Sequence, residues 1–233
     1  RRQRQMCIRD RVHSDWTGWG IEVVCISDNN KGAPDGGATT YDILSPYKTS
    51  ECLAHELGHA RGVPDIYAME VKTNPISGTL FSPVTCMMNI CWGGDSWSEY
   101  AQLLINRNKN LVRGQEGFIP LEEPKYPKNL VLNITRDGQP VKYATVNIYR
   151  EEMYKNTVDV TAFMKKTLGT DGLLSLSPVT LFNGAGGGIG YGVLLIEVVD
   201  GESKTYRYIP VYEVQIAYLK GDTDQYTIEI KCD

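Results

Sequence analysis

His55-Glu56-Leu57-Gly58-His59-Ala60-Arg61-Gly62-Val63-Pro64-Asp65 is the stretch that decides how the first half of this chain is read. Its pattern is H-E-x-x-H-x-x-G-x-x-D. Two histidines four positions apart on a helix lie one above the other on the same face. Their imidazoles can grip one zinc ion from one side. Glu56 follows the first of them, where its carboxylate can take a proton from a water that zinc has acidified. Gly62 marks the place where the helix stops and the chain turns, because glycine accepts a left-handed backbone. Pro64 prevents a return to helix nearby. Asp65 then comes back toward the metal as a third ligand. Three protein ligands leave a fourth position open, which is the mark of a catalytic zinc rather than a structural one. Only three histidines occur in the chain, and the third, His13, is a poor alternative ligand.

With these residues the chain resembles the metzincin zinc peptidases. The aspartate at the third position, within Gly-x-Pro-Asp, is similar to the snapalysin branch and to the immune inhibitor A-like bacterial peptidases. The resemblance covers about residues 20 to 113. It implies a tight turn carrying a methionine beneath the zinc, and Cys86-Met87-Met88-Asn89 has that form. Met88 is the choice for the turn methionine and Met87 the runner-up. The implied role is packing under the ligand histidines, against the plainer reading of two methionines filling gaps in a core. A closing helix after the turn is also implied. Trp97 to Arg107 has apolar positions at helical spacing and predicts one.

The chain departs from the family where several members carry a tyrosine two residues after the turn methionine. Ile90 stands there. Oxyanion or substrate contact is then left to Tyr67 or Tyr100, or to zinc alone. Either tyrosine also reads as an ordinary packing residue. A gluzincin-type alternative takes a glutamate as third ligand, with Glu70 and Glu99 as candidates, although Asp65 fits its motif better.

The rest of the sequence bounds the setting. A net charge of -4 over 233 residues gives no reason to expect a nucleic-acid partner. No apolar run is long enough to span a membrane. Residues 1–11 hold five arginines, and Met6 to Arg11 resembles translated adapter sequence. They are expected to be artefactual or disordered and are given no function. The motif begins only about 50 residues in, so the catalytic part is expected to lack its true N-terminus and any signal peptide with it. Cys7, Cys25, Cys52, Cys86, Cys91 and Cys232 form no C-x-x-C pair, which disfavours a structural zinc. Cys86 and Cys91 could close a small disulfide loop, and Cys25 and Cys52 are either partners or buried thiols. Gly20 to Ile26 and Ala38 to Ile43 read as strands. In the family an edge strand pairs with the extended substrate, a role that would fall near Gly37 to Tyr41. The acidic and amide groups between Ser27 and Gly37 could hold calcium, but their spacing does not fit an EF-hand and a solvated loop reads better. Ser45 and Pro46 form a helix start signal, with Leu53, Leu57 and Ala60 facing the core.

From Ile119 to Pro127 the chain is rich in proline and glutamate and reads as a stiff linker. Beyond it Leu130 to Thr135 alternates, Asp137-Gly138 is a hairpin signal, and Val141 to Tyr149 alternates again with Ala144, Val146 and Ile148 on one face. Further strands are predicted at Leu173–Leu176, Gly192–Val199, Lys204–Val211, Val214–Leu219 and Gln225–Ile230. The glycine-rich Gly184 to Gly190 lacks the ending of a phosphate loop and reads as a flexible loop between strands. About seven short strands with turn signals suggest a β-sandwich. The stretches Asp137 to Val141, Ala144 to Tyr149 and Thr170-Asp171-Gly172 are similar to carboxypeptidase-regulatory or immunoglobulin-like sandwiches appended to bacterial exported enzymes.

The fold class expected is an α+β metzincin-like catalytic domain over residues 12–118, truncated at its N-terminus, then a linker over 119–127 and an all-β sandwich over 128–233. The function expected is a secreted or cell-surface bacterial zinc endopeptidase acting on protein or peptide substrates. Glu56 is the catalytic base, and His55, His59 and Asp65 are the metal ligands. A binding or adhesion protein is the reading of a different class. There the sandwich would contact glycan or cell surface beside an inactive catalytic fragment. Intact ligands and base argue against it.

Overall fold

A computed structural model describes residues 54–55, 58, 61–89, 96–108, 125–185 and 187–232. Glu56, His59, Ile90 and Cys91 lie outside them, as do residues 1–53 with the expected first two strands, the substrate-pairing edge, the Ser27–Gly37 loop and the Ser45 helix start. What is described is a mixed α/β structure dominated by two four-stranded sheets.

Alternation builds the first sheet. Strand β1 (Asn129–Arg136) buries Leu130, Leu132 and Ile134 completely. A parallel partner, β8 (Gln225–Cys232), runs along one edge of it for all eight residues. On the other edge sit β2 (Gln139–Pro140) and β5 (Leu173–Leu176), both antiparallel. Asp137 and Gly138, at φ 50° and 74°, turn β1 into β2 as the hairpin signal predicts. Gly172 stands at φ 71°, and a β-carbon there would lie 2.6 Å from the Ile134 carbonyl oxygen. Glycine at this position therefore answers both a left-handed backbone and a close chain approach.

The second sheet has the order β4-β3-β6-β7 and is antiparallel throughout. Its strands are β3 (Thr145–Glu152), β4 (Met164–Thr167), β6 (Tyr191–Asp200) and β7 (Ser203–Pro210). Ala144, Val146 and Ile148 are buried on one face, as the alternation predicts, but the strand begins only at Thr145. Tyr143 at φ 61° breaks it before that point. A carboxylate at the buried Glu197 is held by Asn147 at 2.8 Å, Tyr149 at 2.9 Å, Lys204 at 3.0 Å and Tyr206 at 3.1 Å. Burial pushes its pKa up, but these four donors outweigh that and the net shift is downward.

Helix α1 (Glu99–Asn108) occupies the position of the predicted closing helix. Between β5 and β6 runs the short α2 (Pro178–Phe182), so the glycine-rich stretch after it joins a helix to a strand rather than two strands. The strand expected at Val214–Leu219 is instead part of helix α3 (Val211–Lys220). Its β-branched and aromatic residues suit a strand. Burial of Val211, Val214, Gln215 and Ala217 follows helical spacing instead, with Glu213 in the first turn and Lys220 in the last. Strand β4 was not anticipated, because Met164-Lys165-Lys166-Thr167 is short and largely exposed.

Tyr126 and Pro127, placed in the linker, are buried, and the Tyr126 ring stacks on Phe182 at 5.8 Å. Val63, Ile66, Met88 and Tyr100 share one apolar cluster with Leu130, Ile148, Leu195 and Val214. Helix α1 lies on α3, where Tyr100 meets Tyr212 at 6.1 Å and Glu99 pairs with Lys220 at 2.6 Å. The described residues of 61–89 and 96–108 thus share apolar contacts with the β region. No helix among the described residues is long and apolar enough to cross a membrane.

Candidate metal centre

The motif helix ends where the sequence places its end. Gly62 takes φ 83°, and the Val63 N–H closes back onto the Gly58 carbonyl at 3.1 Å, the long bond of a Schellman cap. Asn108, the last residue of α1, donates to the Arg61 carbonyl at 2.8 Å and satisfies another terminal acceptor. Pro64 and an extended Asp65 then carry the chain into a 3-10 turn over Ile66–Met69.

This reversal brings Asp65 to His55. Their Oδ1 and Nε2 atoms are 3.2 Å apart, and the residues are only 8% and 4% exposed. The other ring nitrogen, Nδ1, lies 2.8 Å from the Met87 carbonyl oxygen. A carbonyl can only accept, so Nδ1 carries a proton there. On the neutral ring Nε2 then presents a lone pair to a carboxylate oxygen. Two acceptors at that distance in a buried site need something positive between them: a second ring proton or a cation. Zinc ligands about 2.0–2.1 Å from the metal in tetrahedral array stand about 3.3 Å from one another. The observed gap fits that spacing. The donor set and the carbonyl that fixes the histidine tautomer fit zinc as well. His59, the remaining ligand of the motif, lies outside the described residues.

The turn at Cys86 to Asn89 is bonded to His55 and to the residue after Asp65. A bond from Asn89 N–H to the Cys86 carbonyl at 2.9 Å closes the turn. The Met87 carbonyl takes the His55 ring, and the Met88 carbonyl takes the Ile66 N–H at 2.9 Å, one residue beyond Asp65. Met88 is fully buried and Met87 only partly. A β-carbon on Gly58 would stand 2.5 Å from the Met88 sulfur and 3.0 Å from the Trp97 ring, so Met88 packs directly under the helix between the two motif histidines. Cys86 is a buried free thiol that accepts from Ser98 N–H at 3.3 Å.

Tyr67 and Tyr100 fare differently. Tyr67 stacks on the His55 ring at 6.5 Å, with 17° between planes. Tyr100 is enclosed in the core and its hydroxyl donates to Gln215. Glu70 and Glu99 do not join His55 and Asp65: no three His, Cys, Asp or Glu side chains converge among the described residues. Glu70 pairs with Lys72 at 3.0 Å and Glu99 with Lys220. One residue at the site has no sequence signal at all. The Tyr154 hydroxyl, from the connection between β3 and β4, donates to Asp65 Oδ2 at 2.9 Å. A separate cleft of about 480 Å³ between α3 and β7 is lined by Phe81, Arg207, Tyr208, Tyr212 and Glu213 and includes neither His55 nor Asp65.

Beneath the same connection lies Glu151, fully buried, with Oε2 lacking a partner. Burial drives its pKa up to about 8, against the pull of the Asn156 and Gly192 backbone amides. The folded chain therefore keeps this proton at neutral pH, whereas the unfolded chain, near the usual carboxylate value, has lost it. Stability from this group is complete below the unfolded pKa and is lost as pH rises toward 8, at about 1.4 kcal/mol for each pH unit. Glu151→Gln is expected to melt progressively higher than the parent as pH is raised from 5 to 8. Melting curves at several pH values check this, and a pH-independent difference would contradict a buried proton on Glu151.

No family model matches the chain, and no curated protein matches it. Among solved structures, a 9R-lipoxygenase from Cyanothece PCC8801 is similar over 57% of this chain and 20% of its own, with 12% identity and a TM-score of 0.25. The chain thus spans a fifth of that protein, and so loose a superposition carries no argument about fold or chemistry.

Proposed function

We propose that the chain is a zinc-dependent endopeptidase of metzincin type, with His55, His59 and Asp65 as ligands and Glu56 as general base. The observation that carries this reading is the buried 3.2 Å approach of Asp65 Oδ1 to His55 Nε2, with Nδ1 tied to the Met87 carbonyl. Bound zinc supplies a polarised scissile carbonyl and an acidified water. The chain's own residues do the rest. The Met87 carbonyl keeps His55 in the tautomer whose Nε2 carries the lone pair a metal would take. Glu56 takes the proton of the attacking water and delivers it to the leaving amine. Fully buried Met88 and partly buried Trp97 both pack against the helix at Gly58. The substrate is protein or peptide, and the bacterial, secreted setting and the sandwich type of the β region belong to the same proposal.

The test is hydrolysis of casein by the purified chain. Activity should vanish with a chelator and return with added zinc. Cleavage that persists after the metal is removed would end the proposal, and so would a chain that takes up no zinc.

A further inference from the structure

The second oxygen of Asp65 is held by a residue 89 positions away in the β region. Gly62 and Pro64 fix the backbone before Asp65, but an aspartate carboxyl still rotates broadly about its last torsion. With Oδ1 toward His55, the hydroxyl of Tyr154 at 2.9 Å from Oδ2 removes that freedom. Tyr154 is itself anchored. Its backbone stands at φ 73°, a conformation that non-glycine residues seldom adopt. Its N–H donates to the Ala68 carbonyl at 2.9 Å, and its ring meets Tyr67 edge-on at 6.2 Å. Two residues on, the Asn156 carbonyl accepts from Lys72 N–H at 2.8 Å and Thr73 N–H at 3.1 Å. The Asn156 side chain returns a bond to the Glu70 carbonyl at 3.0 Å. A strained tyrosine persists only where its surroundings over-determine it. Here those surroundings are the segment that follows Asp65.

We propose that Tyr154 is a positioning residue of the metal centre, so that the β region completes the site rather than standing beside it. The inference rests on the zinc reading above. Partners that orient a ligand's second atom commonly change metal affinity by about 10–100-fold. Zinc affinity of the full chain is measured by competition with a chelating dye for the parent, Tyr154→Phe and Tyr143→Phe. Tyr143 is the control: it too has a left-handed backbone at φ 61° and is 68% exposed. Tyr154→Phe should bind zinc about 10–100-fold more weakly. Its cobalt-substituted absorption spectrum should shift, and its metal-free form should melt with the parent. Tyr143→Phe should match the parent throughout. Parent-like affinity in Tyr154→Phe overturns the inference alone. So does an equal loss in Tyr143→Phe. A parent chain that binds no zinc overturns the zinc reading first and this one with it.

Discussion

Glu56→Gln is expected to lower kcat/KM on casein by about 10²–10⁴-fold, the usual contribution of a positioned base. The amide matches the carboxylate in size and helix preference, so the helix and its neighbours are undisturbed. What it cannot do is accept a proton. Loss should fall on kcat, because the base acts in the transition state rather than in substrate binding. Zinc content should stay at the parent level, since the role proposed for Glu56 is that of base and not of ligand. Initial rates and metal analysis on the same preparation check both parts. A variant that cleaves at the parent rate would remove Glu56 from the mechanism.

Asp65→Ala is expected to weaken zinc binding by more than the roughly 10–100-fold typical of an outer partner, because the change removes a proposed ligand itself. The deleted oxygen is the one that stands 3.2 Å from His55 Nε2. Glu99→Ala and Glu70→Ala supply the contrast. Their carboxylates meet Lys220 and Lys72 in largely exposed pairs, which are worth about 0–1 kcal/mol. Neither change should alter zinc affinity. Should one of the two glutamate variants lose zinc while Asp65→Ala keeps it, the third ligand would be that glutamate.

The features that were legible in the sequence are local ones. Gly62 and Pro64 announce a helix end that uses only neighbouring residues, and the structure has it there. Alternation at Leu130–Thr135 and the Asp137-Gly138 turn are equally short-range, and both appear. Val214–Leu219 misled because β-branched and aromatic residues fit a strand on propensity, whereas packing against α1 and β6 selects the helix. Tyr126 closes a stretch whose composition suggests an extended spacer, and only the folded chain brings its ring onto Phe182. Tyr154 was invisible for a different reason. Its bond to Asp65 is created by tertiary closure, and nothing in Met153-Tyr154-Lys155-Asn156 marks it. The same closure turned Tyr100, one of two tyrosines with an equal claim by sequence, into a core residue.

The parallel pairing of β8 with β1 bears on the order in which the fold can assemble. Asn133 and Glu229 meet across this pair although 96 positions separate them. A nascent chain leaving the ribosome would carry the whole motif helix long before it could lay Gln225–Cys232 against Asn129–Arg136. Contacts so distant along the chain form slowly. Closing the first sheet is therefore expected to be the slow step of folding, whereas the hairpin of β6 and β7 joins neighbours in sequence and can form early.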